Sequence, residues 1–156
     1  MDLTEPPARP LKNKGEPRAM GIDTVTREET PVMYAAASGT WDAIPEAAAR
    51  AFQLLENALP PKGRKMIGYW HPPALQYRAC YGATEGDNPG ALGLEPDVIP
   101  GGRYRRARLK GDDIFARIPD AFAELEGMSG LSDDGRPWLE VYRRHDEVDV
   151  LVPVSG

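Results

Sequence analysis

Val148, Val150, Val152 and Val154 recur at every second position near the end of the chain. That is the period of a strand with one face in a core. Residues 138–143 alternate in the same way, with Leu139 and Val141 on one face and Trp138, Glu140 and Tyr142 on the other. Shorter alternating or β-branched runs predict strands at residues 22–26, 32–37, 66–70, 75–81 and 103–109. A weaker strand is predicted at 94–99, interrupted by Pro96. The period changes after Asp42, a candidate helix cap with Pro45 tolerated in the first turn. Ile44, Ala48, Phe52 and Leu55 fall at helical spacing, with Ala47 and Ala51 adjoining, and Pro60-Pro61 ends the run. A second helix is predicted from Gly111-Asp112-Asp113 to about Glu126, with a kink or restart at Pro119. Pro72-Pro73 joins two strands, Pro100-Gly101-Gly102 is a turn, and residues 82–93 and 127–137 read as loops.

The order is strand, strand, helix, strand, strand, and then the same again, an α+β pattern. The letters repeat as well. Ile44-Pro45-Glu46-Ala47 recurs as Ile118-Pro119-Asp120-Ala121, an offset of 74. Gly63-Arg64 and the strand after it recur as Gly135-Arg136 and the strand after that, an offset of 72. Two nearly equal offsets, at a helix start and a strand start, suggest a duplicated half-domain, with coincidence the alternative because each match is short. On the face that carries Glu140, Trp70 corresponds to Tyr142 and Gly68 to Glu140. Rings therefore come from both halves and the acid from one.

A chain of 156 residues with 41% hydrophobic and 28% charged residues supports one globular core. Residues 1–20 hold four prolines among charged residues and predict a flexible tail; this tail, or the loop at residues 82–93, is the place to look for a protein partner. The domain is placed at residues 21–156. No stretch is long and apolar enough for a membrane span, and the N-terminus has no apolar signal core, so cytoplasm is the expected compartment. A net charge of −5 argues against nucleic-acid binding. The basic run from Arg103 to Lys110 reads as an outer strand whose charges block sheet-to-sheet association. One cysteine, Cys80, gives no disulfide and reads as a small buried residue. His71 and His145 lack ligand-spaced partners, and Asp133-Asp134-Gly135 reads as a turn, so no metal or other cofactor is expected.

Glu140 stands between two aromatic rings, where a carboxylate is poorly solvated and calls for a counter-charge or a proton. A bound organic cation flanked by aromatic faces would supply the charge. Trp70, Trp138 and Tyr142 are the rings expected beside it, with Tyr77 and Tyr104 as further candidates and Trp41 at the rim. An arginine from Arg78 or residues 103–108 paired with Glu140 is the alternative.

Four features together resemble a known family: Pro-Gly-Gly-x-Tyr (Pro100 to Tyr104), Gly111 before the second helix, Pro-x-x-Glu-x-Tyr (Pro137, Glu140, Tyr142) and the closing Val152-Pro153-Val154. The chain resembles the GyrI-like, or effector-binding, domain over residues 22–154. That domain occurs alone and at the C-terminus of multidrug-responsive transcription regulators. The resemblance implies two strand-helix-strand-strand units with pseudo-twofold symmetry, forming a curved antiparallel sheet backed by two helices. It implies that Glu140 meets the charge of a lipophilic cation, with Tyr142 beside it. It also implies two other roles. Some stand-alone members hydrolyse cyclopropanoid genotoxins, with Glu140 as the base here, and others inhibit gyrase through a protein interface. No helix-turn-helix segment precedes the domain, so direct DNA binding is not expected.

Overall fold

The computed structural model describes residues 21–71, 76–144 and 146–155. The expected tail at residues 1–20 and His145 lie outside them, as does the Pro72-Pro73 link. The strands are β1 (Ile22–Arg27), β2 (Thr30–Ser38), β3 (Met66–His71), β4 (Gln76–Gly82), β5 (Glu95–Ile99), β6 (Gly102–Lys110), β7 (Trp138–Arg144) and β8 (Glu147–Pro153). The helices are α1 (Ile44–Ala58), α2 (Pro89–Leu92) and α3 (Ile114–Glu126). All eight strands form one antiparallel sheet in the order β1-β6-β8-β7-β3-β4-β2-β5. The fold is α+β, and the units β2-α1-β3-β4 and β6-α3-β7-β8 occupy equivalent places on either side of the β3–β7 pair.

That central pair locates the pseudo-twofold axis. Met66 pairs with Tyr142, Gly68 with Glu140 and Trp70 with Trp138. The 72-residue offset of the repeat exchanges Gly68 with Glu140. The axis therefore passes between these two residues, a glycine in one half and a glutamate in the other.

The sheet is strongly curled, and a connection shows why. In a flat sheet β1 and β2, with five strands between them, would lie about 29 Å apart at ~4.8 Å per strand. Only Glu28 and Glu29 join them, a reach of about 11 Å. Ile22 pairs with Ala107 in the β1–β6 ladder, and Tyr34 pairs with Glu95 in the β2–β5 ladder. Twelve steps forward on one side match twelve steps back on the other, so both ladders belong to one register interrupted at Glu28-Glu29 and Pro100-Gly101. Gly101 is required at this interruption: a Cβ there would stand 2.7 Å from the Glu29 amide nitrogen and 2.8 Å from the Arg27 carbonyl oxygen.

Curling produces two cores. On one face α1 packs against β2 and β4, and α3 against β6 and β8. Ala47, Ala51 and Leu55 of α1, and Ile118, Ala121, Phe122 and Leu125 of α3, bury there with Val148, Val150 and Val152. On the other face Val32, Ile67, Cys80, Ile99, Tyr104, Leu139 and Leu151 form a second cluster without a helix over it. The sheet's own curl encloses that cluster.

Several local expectations change. Asp42 does not cap α1; it lies in a 3-10 turn over Trp41–Ala43 and accepts a hydrogen bond from the Thr40 hydroxyl. Pro119 does not break α3, which runs unbroken around it with the proline ring exposed. Residues 82–93 contain α2, capped at Asn88, whose side chain accepts from the Ala91 amide. Pro96 is accommodated because β5 is an edge strand, where a missing N–H need not cost a ladder bond. No helix among the described residues is long and apolar enough to cross a membrane.

Candidate functional site

Glu140 projects from β7 on the helix-bearing face, at the middle of the sheet and 8% exposed. Its direct neighbour across the β3–β7 ladder is Gly68, and the missing side chain matters. Tyr77 on β4 leans over Gly68 and donates its hydroxyl to Glu140 Oε1 at 2.7 Å. A Cβ on Gly68 would stand 2.0 Å from that hydroxyl and 2.7 Å from the carboxyl oxygen. Tyr142, two residues along β7, donates its hydroxyl to the same oxygen at 2.5 Å. Both tyrosines thus converge on Oε1, and among the described residues Oε2 receives no hydrogen bond.

Rings surround this group. Phe52 of α1 lies 5.9 Å from Tyr77 and 5.7 Å edge-on from Tyr142. Phe115 of α3 lies 6.0 Å from Tyr142, and Phe122 stacks on Trp138 at 5.4 Å. Trp70 and Trp138 face each other across the β3–β7 ladder, both buried. The rings therefore come from both helices and from the central strands.

The electrostatics follow from burial. Desolvation pushes the Glu140 carboxyl above its ordinary range, while the bonds from Tyr142 and Tyr77 pull the other way. Burial is the larger effect. Tyr77 and Tyr142 are pushed well above the usual phenol range, first by burial and then by the nearby Glu140 charge. At neutral pH both are hydrogen-bond donors. The arginine alternative is not realised: among the described residues no arginine or lysine pairs with Glu140. Instead Arg78 lies on the opposite face, between the rings of Tyr34 and Tyr69 and bonded to Asp97.

Of the residues singled out from sequence, the fold brings Glu140, Tyr142, Trp138, Trp70 and Tyr77 together on one face. Tyr104 does not join them. It is enclosed in the opposite cluster, donates its hydroxyl to the Pro100 carbonyl and carries Arg136 over its ring. Phe115 was not singled out from sequence, yet it is 64% exposed and lies against Tyr142. The signal was present, since the helix offset of 74 aligns it with Trp41, itself a rim candidate. Cys80 is buried as expected, and burial raises its thiol far above the reactive range.

No family model and no curated protein matches this chain. Solved structures do. An integron cassette protein from the mobile metagenome of Vibrio cholerae is 12% identical, with a TM-score of 0.70, covering 88% of this chain and 98% of its own. The protein SAV2435, solved bound to tetraphenylphosphonium, is 11% identical with a TM-score of 0.59, covering 88% and 95%. A hydrolase from Listeria innocua is 11% identical with a TM-score of 0.52, covering 90% and 94%. At such identities the likeness is one of fold, and it spans nearly the full length of each structure.

Proposed function

We propose that this chain is a small-molecule-binding protein of the GyrI-like type. It takes an amphipathic aromatic cation between the rings of the central strands, with Glu140 as the counter-charge. One observation carries the reading: a buried carboxyl group without a cationic partner among the described residues, held by two tyrosines through one oxygen and leaving the other oxygen uncommitted. Burying a carboxylate in this way opposes ionisation, and a ligand cation would offset the cost directly. That a protein of the same fold binds tetraphenylphosphonium supports the class of ligand. The rings pack closely around Glu140, so entry requires Phe52, Phe115 and Tyr142 to move apart. Phe115, mostly exposed, is the one least held by packing.

Calorimetric titration with tetraphenylphosphonium tests this. Saturable binding is expected, weakened at least about tenfold by Glu140→Gln, the loss of one charge-assisted contact. Binding should release protons and weaken toward acid pH, because the raised Glu140 carboxyl must ionise to pair with the cation. Equal affinity in wild type and Glu140→Gln, or no pH dependence, would overturn the reading.

A hydrolase is the second reading, and the free Oε2 favours it. With Oε1 fixed by Tyr77 and Tyr142, Oε2 is the atom available to take a proton from water attacking a reactive electrophile. Mass spectrometry of a cyclopropanoid substrate incubated with the protein separates the two. Product formed by wild type and not by Glu140→Gln marks an enzyme, and stoichiometric binding without product marks a binder.

A further inference from the structure

A cleft of about 640 Å³ lies away from Glu140, on the opposite face of the sheet, at the end of β1, β6, β7 and β8. Its lining includes Ile22, Arg108, Lys110, Arg143, Arg144 and Asp149. The expectation that the Arg103–Lys110 run is an outer strand is not met: β6 lies between β1 and β8, so its charges do not guard a sheet edge. Alternation divides that run: Ala107 and Leu109 bury on the helix-bearing face, which sends Arg106 and Arg108 to the other.

The charges in the cleft are unevenly satisfied. Asp149 is buried, at 7% exposure, and among the described residues it is the one acid approached by three guanidinium groups. The contacts are long: Arg108 at 3.5 Å, Arg143 at 3.9 Å and Arg106 at 4.0 Å. Arg106 is engaged elsewhere, donating twice to Asp23 at 3.0 and 2.7 Å. Arg108 and Arg143, each with a side chain 46% exposed, donate no side-chain hydrogen bond among the described residues. Among the described residues Lys110 and Arg144 pair with Glu147, at 3.4 and 3.6 Å. Asp149 thus gathers the guanidinium groups without using up their donors. Each guanidinium presents five N–H groups in a planar fork suited to an oxyanion. Forked donors in a volume typical of ligand sites suit a small molecule that carries an oxyanion.

We propose that this cleft is a second ligand site, in which Arg108 and Arg143 bind the phosphate or carboxylate of a small anion. Asp149 is the positioning residue: it holds the two guanidinium groups and does not touch the ligand. The site is separate from Glu140 and takes the opposite charge, so it stands whether or not Glu140 binds a cation.

Amide chemical shifts of the full chain, titrated at low ionic strength, test the proposal. Phenyl phosphate and benzoate are the two oxyanion arms, and benzyl alcohol is the uncharged control. Saturable shifts at residues 21–23, 108–110 and 143–149 are expected with at least one of the two anions and not with the alcohol. Which anion binds more tightly identifies the head group. Arg108→Gln with Arg143→Gln should weaken that binding at least about tenfold. Arg103→Gln, on the other face of β6, should leave it unchanged. The double variant keeps Asp149 with Arg106 beside it, and an unaltered amide spectrum outside the cleft will confirm that it folds. No saturable shift with either anion, equal shifts with benzyl alcohol, or equal affinity in the double variant would each overturn the proposal. So would a single-stranded oligonucleotide shifting the same residues where both small anions fail.

Discussion

Glu140 is the residue at which stability and function pull apart. Its carboxyl sits at the centre of the sheet with two tyrosine donors and no cation among the described residues. Burial raises its folded-state pKa above the unfolded value, so the folded protein favours the protonated form. The stability this provides is complete below the unfolded pKa and is lost as pH rises through the folded one. Glu140→Gln retains an oxygen for the tyrosines and removes the titration. The variant is therefore expected to melt higher than wild type at pH 7 to 8, by about 2–4 °C for each kcal/mol recovered. The difference should shrink as pH falls toward 4. Melting curves at several pH values check it, and a variant less stable than wild type throughout would show that the ionised carboxylate is an asset to the fold. A more stable protein that no longer binds cations would be the expected signature of a functional carboxyl. The sequence marked Glu140 as an awkward acid between rings, because alternation along one strand decides which neighbours share its face. It did not show that Tyr77 reaches it across a glycine, since that contact spans three strands.

At the scale of elements, the two halves solve one problem differently. Half one begins its helix with a 3-10 turn and places Pro45 in the first turn of α1. Half two runs α3 straight through the equivalent Pro119. Proline has no N–H, so the Phe115 carbonyl, four residues earlier, loses its helical partner. The ring of Pro119 is exposed and contributes little packing. Pro119→Ala is expected to stabilise the protein by about 1–3 kcal/mol and to slow amide exchange in the first turn of α3. Denaturant unfolding and hydrogen exchange measure both, and unchanged exchange at residues 114–118 would show that this turn is held by its packing alone. Because Phe115 lies against Tyr142, a stiffer first turn should also slow entry of tetraphenylphosphonium. The expectation of a break at Pro119 followed from local propensity. Packing of Ile114, Ile118, Phe122 and Leu125 overrode it.

At the scale of the whole molecule, the curl is held where the two long ladders are interrupted. Gly101 approaches the backbone of Arg27 and Glu29 so closely that no side chain fits, and backbone atoms cannot step aside. Gly101→Ala is expected to cost at least about 2 kcal/mol and to act on the whole fold rather than one strand. A urea midpoint equal to that of wild type would show that the ladders are free to separate there. Duplication is also a whole-molecule property, and the register shows how far it has diverged. Following the ladders across the axis, Arg78 of β4 takes the place that Asp149 holds on β8. Half one clamps a cation between two tyrosines and an acid, while half two sets an acid among three arginines. Asp149 stood in plain view as the polar member of a valine run, but a buried acid acquires meaning only from strands that are distant in sequence. The sequence by itself determined the strand and helix order, the duplication, the core stripe of β8 and the face on which Glu140 lies. All of these are properties of period and spacing along one chain. The tertiary structure alone decided which tyrosines hold Glu140, that Tyr104 lies on the other face, and that the arginines gather in a separate cleft. Those depend on register and curl, which are set by contacts between residues far apart in the chain and leave no local period to read.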